Sequence, residues 1–271
     1  MGVTEAKRVI FISAEGTKTE PSYFKRINDR LKENKQCPFI IHVLEHDRDT
    51  ASSPDRVLEL LEECRQLRKE DGEAVLFKSI VDRSSRIFSV DQVKTYFFNP
   101  EQLPLRVRRR IGIAITKLGI NVDYYYFLRG LGSSGDSFAV VIDRDPQGRL
   151  RSELKKLLDV CQKQNIDFCL SNPCFDFWLI LHFDYHLTEN DQKDLLSNKR
   201  VSGDHSFASR LLCNLAHHKK KIKVSDFNQL YLHKTKKALR MAKRFAIDET
   251  DVLDKLGTRV PVIIERIVDW L

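Results

Sequence analysis

The stretch SFAVVIDRDPQG, residues 137–148, decides the fold. Phe138 to Ile142 form a short apolar run of mostly β-branched and aromatic residues, bounded by turn residues. Such a run reads as a strand buried on both faces. It passes straight into Asp143-Arg144-Asp145 and is closed by Pro146 and Gly148. A strand covered on both sides belongs to a parallel sheet with helices on its faces. In such sheets, ligands gather at the carboxyl ends of the strands. Side chains alternate along an extended chain, so Asp143 and Asp145 are expected on one side.

Working outward, Arg8–Ala14 (RVIFISA) reads as a second buried strand and also ends in an acid, Glu15-Gly16. Thr19 is a candidate helix cap, with Pro21 early in the helix where its missing N–H costs little. Tyr23, Phe24, Ile27 and Leu31 then follow helical spacing. A strand over 39–44 and a helix begun at Ser52 or Ser53 continue a β-α-β-α alternation. After 138–142 the alternation resumes with a helix over about 149–164 and a strand at 166–170. Next comes SNPCFDFWLILHF, where Ser171 or Asn172 is a candidate cap and Pro173 a first helical residue. The closing GTRVPVIIERIVDWL reads as a helix opened by Thr258 and Pro261. The expected class is α/β. Residues 1–185 make a mostly parallel sheet flanked by helices, 73–136 an insertion, and 186–271 a helical, basic region.

Carboxylates at two strand ends repel when ionised, and a divalent cation removes that cost. Oxygen-only ligands suit Mg²⁺ or Mn²⁺. A cation held by Glu15, Asp143 and Asp145 keeps positions for phosphate oxygens and so serves phosphoryl transfer or phosphodiester hydrolysis. Glu20 can face the same cleft, although a first-turn acid is also favoured by the helix dipole alone. An Asp pair after a strand also occurs as ordinary turn chemistry.

The chain of 271 residues carries 46 Lys and Arg against 38 Asp and Glu, a formal +8 that favours polyanionic partners. Residues 217–245 hold ten Lys or Arg, among them Lys219, Lys220, Lys221, Lys234, Lys236, Lys237 and Arg240, against one acid, Asp226. A second cluster is Arg106, Arg108, Arg109 and Arg110. Both are candidate phosphate contacts; the alternative is a solvated helix face. No run of 18 apolar residues is present, so no membrane span is expected. The first residues lack signal-peptide organisation, and the six cysteines form no CxxC pair. The expectation is a cytoplasmic protein with reduced thiols.

Other signals point less far. Gly130-x-Gly132-x-x-Gly135 precedes a strand rather than a helix, so a dinucleotide site is not expected. His182 and His186 have zinc spacing but no companion ligands, and a helix histidine with ordinary hydrogen bonds is the simpler reading. His217-His218 read as exposed, and Cys169 and Cys174 as small residues flanking a turn. Tyr124-Tyr125-Tyr126-Phe127 are capable of stacking on bases, but a strand with alternate rings in the core explains them as well.

EGTKTEPSYF, VIDRD and SNPCFDFWLILHF together resemble the RloB-like family of bacterial defence-associated proteins, and GTRVPVIIERIVDWL fits its closing signature. A Glu-Gly after the first strand and a DxD after a later one look like a Toprim-type centre. The resemblance covers most of the chain and thins over 73–136 and 186–250. It implies a Toprim-like fold and a divalent-metal nuclease acting in antiphage defence, with RNA, tRNA in particular, favoured over DNA. An RloA-type ATPase is the implied partner; an oligomer stays open. By motif, Glu15 is metal ligand or general acid/base, Asp143 and Asp145 are metal ligands, and Glu20 is an additional acid. Asp176 stands where the family usually has Glu. Lys18 and Arg144 can add positive charge at the same mouth. The insertion is longer than expected between these motifs. Two rivals remain open: a non-catalytic module that senses a nucleotide or phage component, and a primase- or topoisomerase-like role. For the latter the chain shows neither a zinc module nor a nucleophilic tyrosine domain.

Overall fold

A computed structural model describes residues 7–44, 53–68, 77–78, 81–82, 87–117, 127–128, 130–131, 135–145, 150–203, 205–217 and 224–271. The chain divides into two compact units, 1–61 with 132–271, and 62–131.

The larger unit is an α/β body on a five-stranded sheet of order β2-β1-β3-β4-β7. Its strands are β1 (Arg8–Ala14), β2 (Phe39–Val43), β3 (Ser137–Asp143), β4 (Asp167–Asn172) and β7 (Gly257–Thr258). The first four pair in parallel and β7 joins β4 antiparallel. In register, Ile12 lies opposite Ala139 and Ala14 opposite Val141. Between β1 and β2 runs α1 (Thr19–Glu33), and α2 (Pro54–Leu67) follows β2. The helix between β3 and β4, α5 (Arg151–Gln164), buries Leu154, Leu157, Leu158 and Cys161. The chain therefore leaves β1 outward to β2, then returns to β3 on the opposite side of β1 and proceeds to β4. Connections from the neighbouring strands β1 and β3 diverge, which makes the carboxyl ends of these two strands the topological switch point of the sheet.

One face of the sheet carries Ile10, Ile12, Ala14, Ile41, Ala139, Val141 and Cys169, all in a single core. Into it pack the α1 stripe Tyr23, Phe24, Ile27 and Leu31, and α6 (Phe175–Ile180), every residue of which is buried. The C-terminal helices α7 (Glu189–Ser197), α8 (Phe207–Ala216), α9 (Val224–Leu230) and α10 (Thr235–Ala242) contribute Leu195, Leu212, Phe227 and Leu239 to the same core. Residues 186–271 thus share a core with the sheet. They also include a short ribbon, β5 (Arg200–Ser202) with β6 (His205–Ser206).

Three local readings change. The α1 cap position falls on Lys18 without a side-chain bond, and Thr19 is already helical. Neither Ser171 nor Asn172 caps α6: β4 runs on through Asn172, the Asn172–Pro173 peptide is cis, and Cys174 is the residue before the helix. Pro261 does open a helix, the short α11 (Pro261–Ile264), but Gly257–Thr258 is the edge strand β7 rather than part of the helix start. Long-range pairing decides that last case. Ser171 and Thr258 hydroxyls share a buried hydrogen bond of 2.8 Å, and the Arg259 amide donates to the Leu170 carbonyl at 2.9 Å. The Arg259 guanidinium donates to the carbonyls of Phe168 and Ile247 and to Glu249. A Cβ at Gly257 would collide with the Ala246 carbonyl, so only glycine lets the strand lie there. Ser53, by contrast, caps α2 through the Arg56 amide at 3.2 Å as its sequence suggests.

The smaller unit holds α3 (Val90–Phe98) and α4 (Leu105–Lys117). A reciprocal Ser89–Gln92 capping box opens α3. Phe88, Val93, Ile111 and Ile115 form its core. Tyr124–Tyr126, candidates for base stacking or the core, lie outside the described residues, as do the candidate phosphate contacts Lys219, Lys220 and Lys221.

Candidate carboxylate site at the sheet switch point

Glu15 and Asp143 end the two neighbouring strands whose connections diverge. The ladder continues past β1, with the Glu15 amide donating to the Val141 carbonyl at 2.9 Å. The Glu15 carboxylate in turn accepts the Asp143 amide at 3.2 Å. Backbone pairing thereby fixes both acids at one corner of the sheet. Asp143 is half-buried, and its Oδ1 accepts the Phe175 amide at 2.8 Å. The SNPCFD motif thus turns the chain after β4 so that α6 begins on Asp143.

Two further acids reach this corner from helices. Glu20, in the first turn of α1, and Asp176, in the first turn of α6, are both buried. Gly16 makes the first arrangement possible, because a Cβ built there would overlap the Glu20 carboxylate. Burial pushes the Asp143 carboxyl well above the usual carboxylate range, and the nearby charges of Glu20, Asp176 and Asp145 push it further. The Phe175 amide opposes this without cancelling it.

Asp145 departs from its expected geometry. Its φ of 39° takes the chain out of the extended form, so alternation does not place it beside Asp143. Its amide instead donates to the Pro173 carbonyl at 3.1 Å, and its side chain is exposed. Arg144 is half-buried, with Nε donating to the Leu253 carbonyl at 2.9 Å. Lys18 is exposed.

The donor set is wholly carboxylate, which suits a hard divalent cation, and the raised proton affinity of Asp143 marks negative charge that a cation would compensate. Among the described residues, no three His, Cys, Asp or Glu side chains already enclose a metal position. A cation would therefore have to draw the carboxylates together.

The other candidates separate clearly. His182 is fully buried, its Nδ1 3.1 Å from the Trp178 carbonyl, and burial lowers its pKa to about 3, so it stays neutral; His186 is exposed. They do not form a zinc pair. All six cysteines are free thiols, and burial pushes Cys169 up, away from thiolate chemistry. Part of the C-terminal basic run is matched by acids distant in sequence: Lys236 by Asp269, Lys237 by Asp184, Lys243 by Glu265. Lys234 lies over the Phe183 ring at 5.2 Å, while Arg240 is exposed. Arg109 and Arg110 are exposed on α4, and Arg108 is half-buried there. Sequence reasoning missed how Ser171, Thr258 and Arg259 hold the end of β4. Their signal is GTR, a glycine before a hydroxyl residue and an arginine, which the sequence pattern merges into the helix that follows.

No helix of the described residues is long and apolar enough to cross a membrane. A family model described as RloB-like protein matches residues 10–267, nearly the whole chain. No curated protein and no solved structure matches it.

Proposed function

We propose, from the premise that the chain belongs to the RloB-like protein family, that it is a divalent-metal-dependent nuclease, with RNA favoured over DNA, acting as an effector in antiphage defence. The observation that supports this is the meeting of Glu15, Asp143, Glu20 and Asp176 at the switch point between β1 and β3, with Asp143 driven toward protonation by burial and then by its acidic neighbours. Glu15 and Asp143 would hold Mg²⁺ or Mn²⁺, and Asp145, turned away by its backbone but near enough for its charge to act on Asp143, would have to swing in to join them. When bound, the ion supplies Lewis acidity toward phosphate oxygens and the attacking water.

The chain's own residues do the rest. The amides of Asp143 and Phe175 hold the Glu15 and Asp143 carboxylates at one corner of the sheet, which limits how far a cation must draw them together. Glu20 and Asp176 keep the corner negative and selective for cations. Arg144 and Lys18 offer positive charge to the scissile phosphodiester. Water adds to phosphorus, the phosphorus–oxygen bond to the leaving nucleoside breaks, and that oxygen takes up a proton. An ATPase of the RloA type is the partner this reading carries.

A second reading draws on the carboxylates not already enclosing a metal position. In it the corner is structural and the protein senses a nucleotide. Binding would then survive Asp143→Asn and Glu15→Gln, with no turnover. The experiment that tests the first reading is expression of wild type and Asp143→Asn in bacteria, with sequencing of RNA 5′ and 3′ ends. Discrete new ends, lost in the variant, support an RNA nuclease. No new ends under any condition, phage challenge included, contradict it.

A further inference from the structure

The smaller unit carries an open groove of about 940 Å³ between α3 and α4. Its apolar part is lined by Tyr96, Phe97 and Ile113, and its cationic part by Arg108, Arg109 and Lys117. None of the described residues lining it is an acid. The two aromatic rings stand edge to face, 5.4 Å apart at 81°, and Ile113 is 58% exposed. The groove thus sets an apolar floor directly beside three cations, a pairing that suits a ligand with both planar apolar and anionic parts.

The charge pattern says which. Helix α4 (LRVRRRIGIAITK) contains five Arg or Lys and no acid. Among the described residues none of these five cations has an ion-pair partner, whereas the C-terminal lysines are matched by acids. Arg106 and Arg110 are exposed and extend the positive charge beyond the groove's own lining. A mononucleotide would satisfy the groove and leave those two unused; a chain of phosphates engages all of them. Tyr96 and Phe97 are half-buried, packed on the core of the smaller unit, and line the groove with the part of their rings that remains exposed, a surface that unstacked bases reach more readily than a duplex with its bases stacked inward.

We propose that this groove binds single-stranded nucleic acid, bases lying on Tyr96 and Phe97 and successive phosphates on Arg108, Arg109 and Lys117. Stacking and backbone charge are the two contributions that sequence-tolerant single-strand binding needs. The groove belongs to the smaller unit and the carboxylate corner to the larger, and binding at the groove is read without cleavage.

The test is fluorescence anisotropy of the full chain with a short labelled single-stranded RNA in EDTA, over a salt series. Arg108→Gln with Arg109→Gln is expected to weaken binding about tenfold or more and to reduce the salt slope by about 1.4, two phosphates' worth. Lys32→Gln with Lys35→Gln removes the same charge from exposed positions elsewhere and should change affinity less than about twofold. Tyr96→Leu should weaken binding roughly fivefold or more, with Tyr96→Phe restoring it because the ring remains. Three outcomes overturn the proposal: equal effects of the two double variants, competition by a mononucleotide or duplex as strong as by the single strand, or no binding at low salt. All are read without metal, so failure here is distinct from absence of nuclease activity.

Discussion

Gly16→Ala tests the geometry of the carboxylate corner without touching any acid. The Gly16 φ lies outside the left-handed region, so alanine is allowed by the backbone. Its Cβ, however, would overlap the Glu20 carboxylate, a side chain only 8% exposed. The carboxylate is the far end of a flexible side chain and can swing aside, so the cost sits at the low end of overpacking, about 1 kcal/mol. Glu20→Ala removes both the obstacle and a charge that repels Asp143. In the double variant the carboxylate that supplies the three nearest contacts is gone, so most of the cost should vanish. The expected coupling is about 1 kcal/mol, against additivity within about 0.3–0.5 kcal/mol for independent sites. Urea unfolding followed by tryptophan emission measures it, since the only tryptophans, Trp178 and Trp270, both lie in the larger unit. Additive costs in the cycle would refute the close approach of Gly16 and Glu20.

Three other outcomes are expected. Because the folded Asp143 carboxyl sits above its unfolded range, its contribution to stability is complete below the ordinary carboxylate range and is lost as pH rises through the raised value. Metal-free wild type should therefore lose up to about 1.4 kcal/mol per pH unit there, and Asp143→Asn should flatten that slope in pH-dependent unfolding. Mg²⁺ or Mn²⁺ at about a hundredfold over its Kd should stabilise wild type by about 2.7 kcal/mol, seen as a rise in Tm, with the rise absent in Glu15→Gln. Thr258→Val strands the buried Ser171 hydroxyl and should cost about 1–3 kcal/mol in urea unfolding, with Ser171→Ala added recovering part of it.

The parallel sheet was legible because its information is local. Buried runs at 8–14 and 138–142, and the α1 stripe Tyr23, Phe24, Ile27, Leu31, each declare their element within a few residues. The meeting of Glu15 and Asp143 was legible because each directly follows or ends a buried strand of the same sheet. What escaped depends on partners far along the chain. Two residues of β7 carry no period, and only the hydroxyl and backbone of β4 make Gly257–Thr258 a strand. Asp145 left its expected side because of a backbone turn that alternation cannot foresee. The lysines after 230 looked unopposed only because Asp184, Glu265 and Asp269 lie outside their stretch. Tyr96 and Phe97 gained meaning only when α3 met the arginines of α4.

Carboxylate-dependent phosphodiester cleavage is open to direct assay with the purified chain. Labelled single-stranded RNA, folded tRNA and DNA would be incubated with Mg²⁺, with Mn²⁺ and with EDTA, using wild type, Glu15→Gln and Asp143→Asn. Wild type is expected to cleave RNA with either metal. EDTA should abolish that cleavage, and each variant should reduce it about a hundredfold or more, the scale on which loss of a group stabilising transition-state charge is felt. Cleavage that persists in Asp143→Asn and Glu15→Gln at the wild-type rate would contradict a nuclease centre at this corner.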